Sequence, residues 1–382
     1  MCTQDKFLWL SNPCISRFSL ECYQLLQRRR KGIRSMPSNG TGTCFWHYAL
    51  ALSLVIVATS FGGSPTSTNS PVQVLFVAGP DTHGWGQHDH NAGVDLLAKA
   101  LQDAMAGNVA ARIVRETWPS AEDLAWATTC VVYSDGWQRS LLKGPERLDA
   151  VEAFMNAGKG VLRIHWATGS DKQDQERHRE LFGGNMENGF SVHSTDWRQS
   201  FKLAKHPISS GVKPFQLYDE CYFHMHWHSG DKTGIADVLT AIPEPGFRTR
   251  ASSAMANESI KRGDDQTIAW CFDRPAGGRA FSYTGGHYHF NWANDNLRKL
   301  MLNAILWTAG GQVPERGLAS ERPTASHFLE QLGKPKTGGK KNPGWTAEAL
   351  EGYLDLINRP NTSFHWRPFD RKALPPLPKV KN

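Results

Sequence analysis

An alternation of apolar strand segments and helical segments between residues 72 and 165 constrains the fold of this chain most. The first segment, 72–78 (VQVLFVA), is apolar except at Gln73, as expected of a strand buried on both faces of a parallel sheet. Further strands are predicted at 110–114, 130–133 and 160–164, with helices of about 10–15 residues between them. Parallel strands need such crossovers, so this order predicts an α/β fold with a doubly wound, mostly parallel sheet.

The second half of the chain has a different pattern. Five further strand segments are predicted without long helices between them, at 199–204, 217–228, 236–242, 266–272 and 279–283. A helix is predicted at 294–309, and Gly310 and Gly311 would end it. We therefore expect an antiparallel extension of the sheet within one α/β domain covering residues 71–311.

The segments on either side of this domain differ in composition. Residues 1–70 contain basic residues up to Arg34, an uncharged apolar run at 45–61 and a Ser/Thr/Pro-rich linker, as in a signal peptide. We expect export to the periplasm or the extracellular space, or membrane anchoring if the segment is not cleaved. Two methionines are candidates for the start of translation, Met1 and Met36, and Met36 precedes a signal peptide of more ordinary length. Residues 312–382 are predicted to be a Pro/Lys-rich C-terminal tail with a short helix at 346–357.

The formal net charge of +7 is confined to the ends of the chain. Residues 1–60 and 311–382 each carry an excess of five basic residues, whereas residues 61–310 have a net charge of −3. The predicted domain therefore lacks the basic surface that nucleic-acid binding requires, and we expect no nucleic-acid partner. Cys130, Cys221 and Cys271 follow the signal segment and are too few for a disulfide framework, although Cys221 and Cys271 could pair.

A loop rich in histidine follows the first strand. It contains His83, His88 and His90 and lies at the carboxyl end of the strand, where α/β sheets bind ligands. The pattern fits a metal site, an acid/base site, a pocket for a hydroxyl-rich ligand or a solvated loop. Three histidines can bind zinc, but their spacing matches no strong zinc motif. His224, His226 and His228 alternate on a predicted strand, and we favour a solvated strand face for them over a metal strip.

Seven segments, taken in order, resemble the ThuA-like family, which is named for trehalose utilisation. They are GQHDHNAG at 86–93, GKGVLRIHWATG at 158–169, LFGGNMENGFSVHS at 181–194, HPI at 206–208, DECY at 219–222, GGRAFSYTGGHYHFNW at 277–292 and LNAILWTAGG at 302–311. The resemblance implies the flavodoxin-like fold of the class I glutamine amidotransferase-like superfamily. In the amidotransferases a nucleophilic cysteine stands on the turn after a central strand. Here His165 and Trp166 occupy that turn, so glutaminase chemistry is not expected.

The strand ends and the resemblance together give the candidate site. The predicted catalytic residues, in general acid/base roles, are His165, His88, Glu220 and His287. The predicted binding residues are His83, His90, Asp135, Trp137, Trp166, His193, Asp219 and Tyr222. A divalent metal is a possible cofactor, with His83, His88 and His90 as candidate ligands.

These residues favour a protein that acts on or binds a small-molecule carbohydrate. An exported enzyme of the hydrolase or lyase type would use a His/carboxylate pocket at the strand ends. Two alternatives stay open: a non-catalytic carbohydrate-binding or accessory protein, suggested by the missing nucleophile and the 14 tryptophans, and a metal-binding structural protein.

Overall fold

The computed structural model describes residues 71–193, 196–244, 247, 253–332, 342 and 344–359. The predicted signal peptide and linker, residues 1–70, lie outside these residues. Residues 333–341, 343 and 360–382 of the predicted tail also lie outside them. None of the helices in the described ranges has the length and apolar character needed to cross a bilayer.

The strands form one large sheet and two small ones. In chain order they are β1 (Val72–Ala78), β2 (Val109–Arg115), β3 (Thr129–Tyr133), β4 (Gly160–Ile164), β5 (Gly184–Asn185), β6 (Trp197–Ser200), β7 (Lys202–Leu203), β8 (Gln216–Asp219), β9 (His226–Trp227), β10 (Ile235–Ala241), β11 (Gln266–Asp273) and β12 (Arg279–Tyr283). The large sheet has the order β2-β1-β3-β4-β12-β11-β10-β7, and β5-β9 and β6-β8 are separate pairs.

The first five strands of the large sheet are parallel. Their order, with β12 as the fifth strand, is the 2-1-3-4-5 order of flavodoxin-like folds. Strands β11, β10 and β7 continue the sheet in antiparallel pairing. The predicted flavodoxin-like, doubly wound sheet with an antiparallel extension is confirmed.

Helices cover both faces of the sheet. They are α1 (His90–Ala104), α2 (Ala121–Trp126), α3 (Pro145–Asn156), α4 (Gln175–Phe182), α5 (Ala254–Arg262), α6 (Asp295–Thr308), α7 (Ala325–Gln331) and α8 (Ala347–Asn358). Alternate side chains of β1 enter opposite cores: Val74 and Phe76 pack with α1 and α6, whereas Leu75 and Val77 pack with α3. This two-sided burial explains why the strand sequence is continuously apolar.

The predicted strand at 217–228 is wrong, because only β8 and β9 are strands in this stretch, and between them the described backbone forms just one isolated bridge, from Phe223 to Val192. His224 has a φ of +58°, which no regular strand accommodates. The three alternating histidines therefore do not form one strand face. Helix α5, which Ser253 caps through its side chain, was not predicted. Cys221 and Cys271 are both free thiols, so the suggested pairing is also wrong.

The described part of the predicted tail packs against the domain. Helix α8 coincides with the predicted short helix to within one residue at each end, and its residues Leu350, Leu354 and Ile357 are buried in the core that also contains α1 and α6. The side chain of Asn294, which caps α6, donates a hydrogen bond to the carbonyl of Ile357. Helix α7 was not predicted, and its Phe328 is fully buried. The hydrophobic core therefore continues well past residue 311.

Candidate functional site

Four loops meet at one edge of the large sheet. They follow the carboxyl ends of the parallel strands β1, β3, β4 and β12, and the end of β8 joins them. The loops carry His83 and His88, Asp135 and Trp137, His165 and Trp166, and His287, while the end of β8 leads into Glu220 and Tyr222. Because all parallel strands end at the same edge, residues far apart in the chain come together here.

The ring of His88 is oriented by Asp135. The Nδ1 atom of His88 lies 2.7 Å from Oδ1 of Asp135, and both side chains are almost fully buried. The hydroxyl of Thr82 also donates to this carboxylate, at 3.1 Å from each oxygen. A carboxylate accepts hydrogen bonds, so Nδ1 of His88 carries the hydrogen and Nε2 presents its lone pair to the site.

The ring of His165 is oriented in the same way by the backbone. Its Nδ1 atom lies 2.9 Å from the carbonyl oxygen of Thr284, so Nδ1 donates and Nε2 carries the lone pair. The Nε2 atoms of His165 and His88 are 3.1 Å apart. Two neutral rings held in these tautomers have no hydrogen between the facing nitrogens. A cation bound between them would remove the resulting repulsion.

His287 and Glu220 complete the group. Nδ1 of His287 lies 3.0 Å from Nε2 of His88 and 2.8 Å from Oε2 of Glu220. The same carboxylate oxygen is 3.8 Å from Nε2 of His165. The four ligand atoms of His88, His165, His287 and Glu220 all lie within 4.8 Å of one another.

This geometry fits a divalent metal ion. Zinc binds histidine nitrogens and carboxylate oxygens at about 2.0–2.2 Å, which puts neighbouring ligand atoms of a tetrahedron roughly 3.4 Å apart. In histidine ligands the N–H of the ring nitrogen that does not bind the metal characteristically donates a hydrogen bond to a carboxylate or a carbonyl, as Nδ1 of His88 and of His165 does here. The arrangement therefore has both the closely spaced ligand atoms of a metal site and the hydrogen bonds that orient such ligands.

The pKa values respond to the crowding of these rings. Burial, followed by the charge of neighbouring histidines, holds the pKa values of His88 and His165 well below the usual range. Burial also opposes protonation of His287. The hydrogen bond and charge of Glu220 outweigh it, and the pKa of His287 is raised. His88 and His165 therefore stay neutral at neutral pH, which is the form that binds metal.

The backbone at the site adopts left-handed conformations. Among the described residues, six that are not glycine have positive φ, and four of them belong to this edge: His83 (+60°), His88 (+46°), Trp137 (+51°) and His165 (+56°). Such backbone costs of the order of 1–3 kcal/mol per residue and is retained where the surrounding structure holds it. At His165 it forms the sharp turn directly after β4, the turn that carries the nucleophilic cysteine in the amidotransferases.

Aromatic rings surround the group on one side. Trp137 and Trp166 pack edge to face with ring centres 5.1 Å apart, and His193 packs on Trp137 at 5.3 Å. The exposed ring of His83 stacks on His88 at 3.7 Å and meets the edge of Trp166 at 6.0 Å. The hydroxyl of Tyr222 lies 3.1 Å from Nε2 of His165. The predicted binding residues on this side of the group are His83, Trp137, Trp166, His193 and Tyr222.

Two predicted binding residues have other contacts. The buried carboxylate of Asp219 accepts hydrogen bonds from the backbone amides of Gly286, His287 and Tyr288, at 2.7, 3.1 and 3.3 Å. It therefore holds the loop that carries His287. His90 is fully buried at the start of α1, with Nδ1 2.8 Å from the carbonyl of Pro80 and Nε2 3.7 Å from Asp135.

The candidate metal ligands His83, His88 and His90 do not lie together in one group of ligand atoms among the described residues. His88 groups with His165, His287 and Glu220, whereas His83 shares a separate group with His88 and Asp135. Sequence reasoning missed Thr82 and Thr284, which orient the site through a hydroxyl and a backbone carbonyl. Thr284 directly follows β12, so the sequence could have placed it at a strand end near the site. The sequence could not have shown that its carbonyl orients His165.

The chain is similar to known proteins over the region that contains this site. The sequence profile of the ThuA family, described as trehalose utilisation, matches residues 73–308. No curated protein matches the chain.

Among solved structures, a ThuA-like protein from Bacteroides uniformis ATCC 8492 is 15% identical, with a TM-score of 0.46 over 63% of this chain and 92% of that one. A ThuA-like protein from Parabacteroides merdae ATCC 43184 is also 15% identical, with a TM-score of 0.44 over 66% and 98% of the two chains. A cytoplasmic protein from Salmonella typhimurium is 13% identical, with a TM-score of 0.38 over 62% and 99%. Because the family profile spans well over half of its 382 residues, the chain belongs to the ThuA family.

Proposed function

We propose that this protein is a divalent-metal-dependent enzyme that acts on a sugar or sugar derivative. The observation that carries the proposal is the convergence of ligand atoms from His88, His165, His287 and Glu220 within 4.8 Å of one another. The membership of a family named for trehalose utilisation supports a carbohydrate-related role. Three imidazoles and one carboxylate suit zinc and other divalent first-row metals better than calcium or magnesium.

A bound ion supplies Lewis-acid chemistry: it polarises a substrate oxygen or lowers the pKa of water. In His88 and in His165, Nδ1 donates a hydrogen bond and Nε2 faces the proposed ion, so neither ring has a nitrogen left for proton transfer. We therefore propose ligand roles for these two residues in place of the predicted acid/base roles. Proton transfer then falls to groups next to the ion. The hydroxyl of Tyr222 lies 3.1 Å from Nε2 of His165, and the exposed imidazole of His83 stacks on the ring of His88.

Substrate recognition would use the aromatic side of the site. Trp137 and Trp166 are both partly exposed, and their rings lie at right angles to each other. Sugar rings stack on such faces through their apolar C–H surfaces, while polar groups of the site receive the hydroxyls. Burial of the metal ligands beneath these rings would keep bulk water away from the reacting atoms.

Metal analysis of the purified protein, combined with a turnover screen on disaccharides and keto-sugars, tests the proposal. We expect about one ion per chain and turnover that a chelator abolishes and the metal restores. His165→Ala and His88→Ala should lose both the ion and the activity, whereas the exposed His327 provides a matched control, His327→Ala, that keeps both. Protein without stoichiometric metal, or turnover indifferent to chelation, contradicts the proposal. Sugar binding without turnover would favour the carbohydrate-binding alternative.

We also propose that the protein is exported. The support is the order of basic, apolar and small residues between Arg28 and Ser64. N-terminal sequencing of protein from expressing cells should find a mature start shortly after residue 61. A start upstream of Phe45 would contradict cleavage.

A further inference from the structure

A short helix outside the region matched by the family profile contacts the two loops that carry His88 and His287. Helix α7 and the residue after it, 325–332, follow the matched stretch of 73–308. The indole Nε1 of Trp85 donates a buried hydrogen bond to the carbonyl of Leu332, at 3.2 Å. Trp85 stands between His83 and His88, so this bond ties the histidine loop to the C-terminal segment.

The same helix contacts the loop that carries His287. Oε1 of Gln331 lies 3.2 Å from Nε2 of the buried His289, and Nε2 of Gln331 is 3.5 Å from the carbonyl of Ala92 at the start of α1. Phe328 packs edge to face on His289 and on Phe290, with ring centres 5.3 and 5.5 Å apart. One turn of helix therefore touches both loops.

Backbone hydrogen bonds join the two loops directly. The amide of His88 donates to the carbonyl of His287 at 3.0 Å, and the amide of His289 donates to the carbonyl of Gly86 at 2.9 Å. The ring nitrogens of His88 and His287 lie at the end of this short ladder, 3.0 Å apart. A displacement of either loop therefore changes the spacing of two ligand atoms.

We infer that α7 is a positioning element of the metal site, through which the C-terminal segment sets the spacing of His88 and His287. The inference rests on the proposed function, because it assigns the metal to these ligands. Binding of the ion and docking of α7 then stabilise each other, since coupling between two equilibria is reciprocal. Ordinary core packing by α7 would stabilise the fold without changing the affinity for metal.

The test compares metal affinity in full-length variants. Gln331→Ala removes the contacts to His289 and Ala92, and Trp85→Phe removes the indole donor while keeping an aromatic ring. Loss of groups that contact metal ligands directly costs about 10–100-fold in affinity, so for these more distant contacts we expect a zinc Kd raised about three- to tenfold. Glu330→Ala, an exposed neighbour on the same helix, should leave the Kd unchanged. An unchanged Kd in both Gln331→Ala and Trp85→Phe would overturn the inference, whatever the melting temperatures.

Amide hydrogen exchange gives a second, independent readout. Zinc should slow exchange in residues 325–332 of the wild-type protein and leave α5 unaffected; no slowing in α7 counts against the inference. Wild-type protein that binds no zinc would refute the proposed function. The positioning role is then decided in metal-free protein: exchange of residues 83–88 must be faster in Gln331→Ala than in Glu330→Ala, and equal rates refute it.

Discussion

Replacement of Asp135 by asparagine separates the charge behind His88 from the orientation of its ring. The 2.7 Å hydrogen bond from Nδ1 of His88 joins two side chains that are only 1% and 2% exposed, so water cannot replace either partner. Asparagine can still accept this hydrogen bond, but it lacks the negative charge that makes Nε2 a stronger ligand. Loss of such a partner costs about 10–100-fold in metal affinity, and for this isosteric change we expect about tenfold, or about 1.4 kcal/mol. Asp135→Ala, which also frees the ring, should cost about a hundredfold.

The assay is a zinc titration of metal-free protein against a chromophoric chelator near neutral pH. Asp149→Asn is the matched control, because Asp149 is 65% exposed and its charge contacts only Arg177 among the ion pairs of the described residues. Thr82→Val removes a donor to Asp135 and should give a smaller loss. A Kd for Asp135→Asn equal to that of the wild-type protein, with both proteins folded, would refute the assignment of His88 as a ligand supported by Asp135.

Three further predictions concern the ion, protons and sugar. Glu220→Gln removes the only charged ligand of the proposed set and should weaken zinc binding by more than about a hundredfold; a full ion count after dialysis would contradict this. As the pH falls through the raised pKa of His287, a proton competes for its Nδ1, so the zinc affinity should fall about tenfold per pH unit below that pKa. His88 and His165, whose pKa values are lowered, should add competition only at more acidic pH, and a flat pH profile would rule this order out. Trp166→Ala should weaken sugar binding by about 1 kcal/mol in calorimetry and leave the zinc Kd unchanged.

The parallel half of the fold could be predicted well from the sequence. The bounds of β1, β4 and β12 agree with the prediction, because strands buried on both faces are continuously apolar and end at glycine or polar residues. The meeting of His88 and His165 follows from the same pattern, since parallel strands end at one edge. No local pattern in the sequence could have shown how close their nitrogens lie.

The irregular half could not be predicted in the same way. Residues 217–228 have the aromatic and alternating character of a strand, yet β8 ends at Asp219, whose carboxylate accepts hydrogen bonds from the amides of the His287 loop. These hydrogen bonds join segments 68 residues apart in the chain, which no local sequence pattern reveals. The same holds for Thr284, whose backbone carbonyl, and not its side chain, sets the tautomer of His165. A contact made by a backbone carbonyl does not depend on the type of residue, so the sequence does not reveal it.

Some residues with left-handed backbone lower the stability of this protein and also belong to its proposed metal site. At Glu116, an exposed residue with a φ of +59°, replacement by glycine relieves backbone strain without touching the site. The same replacement at His88 or His165 would ease the backbone and delete a ligand of the proposed metal site. Thermostability engineering that replaces every strained residue with glycine would therefore also remove these histidines, and the melting temperature alone would not identify the variants that keep the proposed metal site.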